Sequence, residues 1–186
     1  MNKSAIDTVL SRLEQEIADN NTTWNISKDT AVYLQSLLRK LHPLRVLEIG
    51  TSTGYSTICI AEVLHEWSGQ LITVESHSER FALAQKNIAD TRLQNITQVK
   101  GHAPEILSKI PGMFDFIFLD ATKYEHTSYF LALKNRLNAG GIIIADNMLS
   151  HEKEMNEYKK TVEADPQFES SIEHVGTGLM VSKRIT

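Results

Sequence analysis

The sequence predicts an α/β fold: a doubly wound, mostly parallel sheet of seven strands with helices on both faces. Short apolar runs typical of buried strands alternate with amphipathic runs at helical spacing over residues 45–184. An apolar run that stops at Gly50 is followed at once by a helix, which is the strand, tight turn and helix of many nucleotide sites. The last two strands, separated by the turn 176–178, are expected to form an antiparallel edge.

The size and charge of the chain limit its organisation and its partners. Its 186 residues suffice for one core, so we expect one domain, with N-terminal helices over 1–42 and a main core over 43–186. A formal charge of -4 without a cluster of Lys and Arg disfavours nucleic acid as a partner. The opening residues lack the apolar segment of a secretory signal, and no apolar run reaches the ~20 residues that span a bilayer. We therefore expect a cytoplasmic location and no membrane partner.

Two helices are expected before the first strand. Apolar residues recur at helical spacing over residues 4–19, which predicts an amphipathic helix that covers the core or a partner and is compatible with a homodimer. Ser27 or Asp29 caps a second helix, which ends before Pro43. Trp24, in the polar linker between the helices, either packs under a helix, the commoner outcome, or forms the wall of a ligand cleft.

Strand and helix patterns alternate through the rest of the chain. The first strand covers residues 45–49, and the helix after the glycine turn, expected over 56–66, starts on its own Ser and Thr hydroxyls. Cys59, the only cysteine, lies on the inner face of this helix and is interpreted as a core residue. Further strands are expected over 70–75, 96–99, 114–119, 142–145, 168–174 and 179–183, and further helices over 78–88, 103–109, 129–137 and 152–164.

The residues around the glycine turn favour a nucleoside ligand without a pyrophosphate. The dinucleotide pattern G-x-G-x-x-G has its middle glycine where this chain has Ser52, which weakens the pyrophosphate hypothesis. Glu75 ends the next strand, where an acidic side chain accepts hydrogen bonds from ribose hydroxyls. Glu48, inside the first strand, would repel a phosphate but suits an ammonium or sulfonium group. Together these residues point to S-adenosylmethionine as the cofactor.

Oxygen ligands stand at the ends of two later strands. Asp120 follows the fourth strand, and Asp146 and Asn147 follow the fifth, so all three are expected at the same edge of the sheet. Oxygen ligation favours a hard divalent ion, with Mg²⁺ first and Mn²⁺ or Ca²⁺ next. Three protein ligands leave roughly three open positions in an octahedron, enough for a water and the two adjacent hydroxyls of a catechol. Taken singly, Asp120 and Asp146 would more often cap a turn or a helix.

Three motifs in this order resemble those of a known family. The segments Leu47-Glu-Ile-Gly-Thr-Ser-Thr-Gly-Tyr-Ser56, Leu119-Asp-Ala-Thr-Lys123 and Ala145-Asp-Asn-Met-Leu149 are similar to the metal-dependent O-methyltransferases that include catechol and caffeoyl-coenzyme A O-methyltransferase. The resemblance runs from about residue 26 to residue 184. It implies a class I, Rossmann-like fold and the transfer of a methyl group from S-adenosylmethionine to a hydroxyl of a small catechol-like or phenolic acceptor.

The resemblance also implies roles for single residues. It makes Lys123 the general base, and we count Asp120 beside it as catalytic and as a cofactor contact. Ser76, which follows Glu75 directly, is expected to touch adenine. The residues that the resemblance places around the cofactor are Ile26, Glu48, Gly50, Ser52, Ser56, Glu75 and Ala103.

Weaker candidates and rival functions stay open. His77, like Ser76, could touch adenine. For His126 and Tyr129 a role in packing or in the substrate wall is the commoner one, and a loop histidine such as His151 is more often exposed to solvent. The turn 176–178 receives no catalytic role. One rival is a class I methyltransferase acting on an amine or nucleic acid, although Asp-Ala-Thr-Lys stands where such enzymes usually have Asn/Asp-Pro-Pro-aromatic. A module that binds S-adenosylmethionine without turnover is another, and a nicotinamide dehydrogenase is disfavoured by Ser52.

Overall fold

The computed structural model describes residues 3–19 and 24–186, and residues 20–23 of the predicted polar linker lie outside the described residues. The strands are β1 (Arg45–Ile49), β2 (Gln70–Glu75), β3 (Ile96–Lys100), β4 (Phe114–Leu119), β5 (Leu137–Ala145), β6 (Phe168–Glu173) and β7 (Leu179–Arg184). The α-helices are α1 (Lys3–Asp19), α2 (Lys28–Leu41), α3 (Tyr55–His65), α4 (Ser78–Thr91), α5 (Ala103–Ile106), α6 (His126–Leu133) and α7 (Glu152–Glu163). Short 3₁₀ turns cover Leu107–Lys109, Lys123–Glu125 and Lys134–Arg136.

The seven strands form one sheet in the order β3-β2-β1-β4-β5-β7-β6. The first five strands are parallel, and β7 runs antiparallel to both β5 and β6. The predicted doubly wound sheet with an antiparallel edge is therefore confirmed. From β1 the chain winds outward to β3 and then returns to β4 on the other side of β1, so the strand order reverses between β1 and β4. In open α/β sheets this reversal is where ligands bind.

Alternation of side chains along the strands builds a core on each face of the sheet. In β4, Phe116 and Phe118 pack into the core that α1, α2, α3 and α4 cover. Ile117 and Leu119 of the same strand pack into the second core, under α5, α6 and α7. Cys59 lies in the first core with 4% of its surface exposed, which confirms its interpretation as a core residue. Because both faces are covered, a ligand has access only to the ends and edges of the sheet.

The beginnings of some elements differ from the prediction. The predicted hydroxyl cap of α3 is wrong, because Gly54 precedes this helix with no side-chain hydrogen bond and the nearby hydroxyls bond elsewhere. Strand β5 begins at Leu137 instead of residue 142, since Leu137 pairs with Phe114 across a shift in register. Helix α6 begins and ends earlier than predicted, at His126–Leu133. The cap of α2 is confirmed, because Ser27 Oγ accepts a hydrogen bond of 3.1 Å from the Thr30 amide.

Within the described ranges, none of the helices combines the length and the apolar composition that a membrane crossing needs.

Candidate active site

The carboxyl ends of three parallel strands lie level with one another. Ile49 of β1 pairs with Leu119 of β4, and Leu119 pairs with Ala145 of β5. The ladder continues one step further, because the Asp120 amide donates to Ile49 O (2.9 Å) and the Asp146 amide donates to Leu119 O (3.0 Å). The residues that follow β1, β4 and β5 are thus held by backbone hydrogen bonds at one edge of the sheet.

A cavity of about 490 Å³ opens at this edge. Its volume lies within the usual range for small-molecule and cofactor sites. The predicted site residues that line it are Ile26, Gly50, Ser52, Glu75, Ser76, Ala103, Asp120, Lys123, Asp146 and Asn147. It is also lined by Trp24, Tyr129 and His151, three residues for which the sequence left two interpretations open. Trp24 is 73% exposed, so it does not pack under a helix.

The glycine turn, Gly50–Gly54, is shaped by left-handed backbone angles. Gly50 has φ +107°, and a Cβ atom there would lie 2.0 Å from the backbone oxygen of Asp120, so only glycine fits. Ser52 has φ +49°, and its amide donates to Glu75 Oε2 (2.9 Å). Among the described residues the buried Ser52 hydroxyl has no hydrogen-bond partner. The turn therefore presents an unused hydroxyl beside the cavity.

Glu75 is a buried carboxylate with a fixed orientation. Only 5% of its surface is exposed, and its Oε1 accepts hydrogen bonds from the His77 amide (2.8 Å) and from Arg80 Nη2 (3.3 Å). Arg80, in the first turn of α4, also lines the cavity. His77 itself does not line the cavity and contributes its amide to Glu75. The carboxylate is thus held in place at the cavity wall before any ligand arrives.

Two predicted cofactor contacts, Glu48 and Ser56, do not line the cavity. Alternation along β1 turns Glu48 towards α3, where it is fully buried. Its Oε1 accepts from the Ser56 hydroxyl (2.6 Å), and its Oε2 accepts from the hydroxyls of Thr57 and Thr73. Burial raises the pKa of Glu48 to about 7, against the effect of the three hydroxyls, and the charge of Asp120 adds to the rise. This arrangement does not support direct contact of Glu48 or Ser56 with a cofactor.

Asp120, Asp146 and Asn147 form what we call the acidic edge. Asp146 is 2% exposed, and its Oδ1 accepts from the Asn147 amide (2.7 Å) and from the Thr177 hydroxyl. Burial, followed by the charge of Asp120, raises the pKa of Asp146 to about 6, although both hydrogen bonds oppose the rise. Lys123 Nζ lies 3.3 Å from Asp120 Oδ1, and the positive charge of Lys123 also acts to lower the pKa of Asp146.

The acidic edge has the ligand set of a hard divalent cation. Across residues 3–19 and 24–186, no three His, Cys, Asp or Glu side chains come together as metal ligands, so a metal here needs an amide oxygen. Asn147 carries such an oxygen: the residue lines the cavity with a left-handed backbone (φ +67°), and its Oδ1 is buried without a hydrogen-bond partner in the described part of the chain. A buried oxygen without a donor is costly unless a ligand satisfies it.

The remaining candidate residues divide between the cavity wall and the core. Tyr129 lines the cavity, and its hydroxyl donates to Glu125 Oε2 (2.6 Å), while His102 Nε2 lies 2.9 Å from Glu125 Oε1. His126 is fully buried behind the wall, with its ring nitrogens near the backbone oxygens of Thr122 (3.1 Å) and Leu119 (3.3 Å). Burial lowers the pKa of His126. A packing role for His126 agrees with this position.

Some wall residues were missed by the sequence interpretation. Among them are Asn25, Arg80, His102 and Thr177. Arg80 could have been predicted from the sequence, because it lies in the first turn of the helix that follows Glu75. One face of that turn lies near the end of the strand. Thr177 had none, because its approach to Asp146 depends on β7 lying next to β5.

The sequence matches a known family along almost its whole length. The family model described as O-methyltransferase matches residues 2–185. The catechol O-methyltransferase of Niastella koreensis is 36% identical over 138 residues, which cover 72% of this chain but only 62% of that protein. Caffeoyl-CoA O-methyltransferase 2 of Populus trichocarpa is 29% identical over 190 residues, which cover 87% of this chain and 76% of that protein.

Solved structures share the fold. The O-methyltransferase of Bacillus cereus in complex with SAH has a TM-score of 0.84 at 24% identity, and the comparison covers 97% of this chain and 90% of that one. The SAH-bound Podospora anserina methyltransferase has a TM-score of 0.88 at 19% identity, covering 98% and 88%. Both support the doubly wound architecture. Because the family model extends over residues 2–185 and includes every residue of the cavity wall, the chain belongs to the O-methyltransferase family of enzymes.

Proposed function

We propose that the chain transfers the methyl group of S-adenosylmethionine to a hydroxyl of a small catechol-like or phenolic acceptor, with the help of a divalent metal ion. One observation carries the proposal: the glycine turn with Glu75 and the acidic edge with Lys123 line the same cavity. The acceptors named for two relatives, catechol and caffeoyl-CoA, both carry adjacent ring hydroxyls. An acceptor of this chemistry can present two oxygens at the acidic edge.

The cofactor belongs to the side of the cavity formed by the glycine turn. Glu75 is already oriented by three donors and can accept hydrogen bonds from ribose hydroxyls. The unpaired hydroxyl of Ser52 is a further polar contact, and Ser76 and Ala103 extend the wall beyond Glu75. SAH, which two proteins of the same fold bind, is S-adenosylmethionine without the transferred methyl group. These features support S-adenosylmethionine as the cofactor of this chain.

The acidic edge would hold the metal through Asp120, Asp146 and the Asn147 amide oxygen. Hard oxygen ligands favour Mg²⁺, with Mn²⁺ and Ca²⁺ as alternatives. The charges agree, since Lys123 balances one of two neighbouring carboxylates and leaves a negative charge for a cation. When bound, a divalent ion is a Lewis acid that favours the ionised form of an acceptor hydroxyl.

Lys123 is the group that we assign to the proton of the acceptor hydroxyl. Its side chain is 22% exposed, lines the cavity, and is held next to Asp120 by their contact of 3.3 Å. For this step Lys123 must first have given up its own proton, with the divalent ion balancing the two carboxylates in its place. The neutral amine would then take the hydroxyl proton as the methyl group passes from the cofactor sulfur to the acceptor oxygen. The contact with Asp120 keeps the Lys123 amine next to the place proposed for the acceptor hydroxyl. In this proposal the other site residues contribute by holding the cofactor and the acceptor in position for the transfer.

The cavity volume favours a small acceptor. The cofactor and the acceptor would share about 490 Å³, so only part of this volume is available to the acceptor at the acidic edge. Trp24 stands at the mouth with most of its surface exposed, and an aromatic acceptor could stack against it. We therefore place single-ring catechols first among the acceptors.

The test is methyl transfer from labelled S-adenosylmethionine to catechol, to guaiacol, in which one hydroxyl is blocked, and to phenol. Catechol should be methylated fastest, EDTA should abolish the reaction, and Mg²⁺ should restore it. Asp146→Asn should remove turnover, and Lys123→Met should lower kcat on the order of 10²- to 10⁴-fold, the usual contribution of a general base.

The controls are Asp90→Asn and Lys86→Met, which change exposed residues of α4 and should match the wild type. Activity that survives exhaustive chelation would remove the metal from the proposal. Cofactor binding without transfer to any hydroxyl compound would favour the binding-module alternative instead.

Three wider predictions stay predictions: a single domain, a cytoplasmic location and a homodimer. Limited proteolysis would test the first, fractionation of cells that express the chain the second, and light scattering during size-exclusion chromatography the third. Methylation of nucleic acid, the rival activity, can be tested with the same labelled cofactor.

A further inference from the structure

The turn between β6 and β7 reaches across to the acidic edge. Its residues 176–178 connect the two strands of the antiparallel pair β6–β7, and β7 lies directly beside β5. Ala145, the last residue of β5, pairs with Met180 near the start of β7. The turn therefore stands next to the residues that follow β5, which are Asp146 and Asn147.

Thr177 makes three hydrogen bonds to that segment. Its hydroxyl donates to Asp146 Oδ1, and its backbone oxygen accepts from the amides of Leu149 (3.0 Å) and Ser150 (3.1 Å). Asp146 Oδ1 thus receives two donors, the Thr177 hydroxyl and the Asn147 amide. Two donors on one oxygen fix the rotation of the carboxylate and turn its second oxygen to a defined direction.

The turn is itself held rigidly on both sides. Gly176 has φ +54°, and a Cβ there would lie 2.2 Å from Thr30 Oγ1 of α2. Gly178 has φ +88°, and a Cβ there would lie 2.4 Å from the side chain of Leu149. Because the turn is wedged between α2 and the segment after β5, the Thr177 hydroxyl meets Asp146 at little cost in conformational entropy.

We infer that Thr177 is a positioning residue for the metal that we propose at the acidic edge: it orients the Asp146 carboxylate and so sets the affinity for the ion. The inference rests on the proposed function, because it needs a metal bound by Asp146. Residues that hydrogen-bond a metal ligand typically change metal affinity 10- to 100-fold when they are removed. The role that we assign to Thr177 acts through Asp146 and not through either reactant.

The experiment is a titration of the full chain with Mn²⁺, followed by electron paramagnetic resonance of the free ion. Thr177→Val keeps the shape and branching of the side chain but removes the hydroxyl, so the Kd for Mn²⁺ should rise roughly 10- to 100-fold. Thr177→Ser restores a hydroxyl and should bring the Kd back close to the wild-type value. Saturating metal should return kcat of Thr177→Val towards wild type, because only the affinity is affected.

Control variants separate the possible failures. Thr8→Val, on the exposed face of α1, should bind Mn²⁺ as the wild type does, and circular dichroism should show that all variants are folded. Thr177→Val with an unchanged Kd would overturn the inference alone, as would Thr177→Ser that is no better than Thr177→Val. A wild-type chain that binds no Mn²⁺, with Asp146→Asn indistinguishable from it, would overturn the proposed metal and this inference together.

Discussion

Glu48 stands in the most recognisable motif of the chain, yet its carboxyl group faces the core. Its three hydroxyl partners come from the neighbouring strand and from the start of α3. They tie β1, β2 and α3 together directly behind the glycine turn. The residue thus supports the shape of the turn, and its charge depends strongly on pH.

This burial predicts a pH-dependent stability. The folded pKa is about 7 and the ordinary value is 4.5, so the folded state holds a proton that the unfolded state has lost between these values. The resulting stabilisation is complete below pH 4.5 and is lost as the pH rises through 7. Glu48→Gln has no carboxyl group at this position, so its stability should not change with pH for this reason. The free energy of unfolding of Glu48→Gln minus that of the wild type should therefore increase between pH 5 and pH 8, by on the order of 3 kcal/mol.

Urea unfolding of the metal-free chain at several pH values measures this difference. Glu157→Gln, a change at an exposed position of α7, is the matched control and should run parallel to the wild type. If Glu48→Gln also runs parallel to the wild type, the carboxyl group is ionised in the fold and the assigned burial effect is absent.

Single residues also show which parts of the site could be predicted from the sequence alone. Glu75, Asp120 and Asp146 were placed at one edge because each follows a recognisable strand, and parallel strands end on the same side. Glu48 was expected to contact the cofactor because it belongs to the glycine motif. The alternation of side chains along β1, which turns Glu48 towards the core, was not taken into account. Thr177 could not be found at all, since its contact joins residues 31 positions apart through strand pairing.

At the scale of elements, the glycine turn is a tightly constrained connection. Gly50 combines a left-handed backbone with an approach to the carbonyl group of Asp120 that leaves no room for a side chain. The strand and helix on either side were predicted closely, because apolar runs and glycine positions are visible in the sequence. The long β5 was not, because its first half pairs through a shifted register that no local pattern indicates.

Gly50→Ala should be strongly destabilising, and a matched variant isolates the reason. Gly140 also has a positive φ, +78°, but a Cβ there would meet no atom within 4 Å. Gly140→Ala therefore reports backbone strain alone, of about 1–2 kcal/mol. Gly50→Ala adds the clash with Asp120 and should cost about 1–3 kcal/mol more, the usual effect of overpacking.

Denaturant unfolding of both variants gives the two free energies, and titration with SAH shows whether the cofactor side is affected. Equal destabilisation of the two variants would mean that the backbone around Asp120 yields to the added atom.

At the scale of the whole molecule, one sheet joins two half-sites that different strands carry. β1 and β2 end at the glycine turn and Glu75, whereas β4 and β5 end at the acidic edge. The two halves meet where β1 pairs with β4, which is the reversal point of the strand order. The order of strands and helices in such a fold can be predicted from the sequence. The shape of the cavity between the strand ends cannot, because it depends on how the loops pack against one another in the folded chain.

The fit between Gly178 and Leu149 has a consequence for exchanging parts between related enzymes. The segment after β5 and the turn between β6 and β7 touch so closely that a Cβ on Gly178 would overlap Leu149. Either piece transplanted alone into another family member would meet a partner shaped for a different loop. We expect chimeras that receive both segments to melt at a higher temperature than chimeras that receive one, and equal melting temperatures would contradict this. The two loops therefore form one structural unit, which exchanges between relatives as a pair.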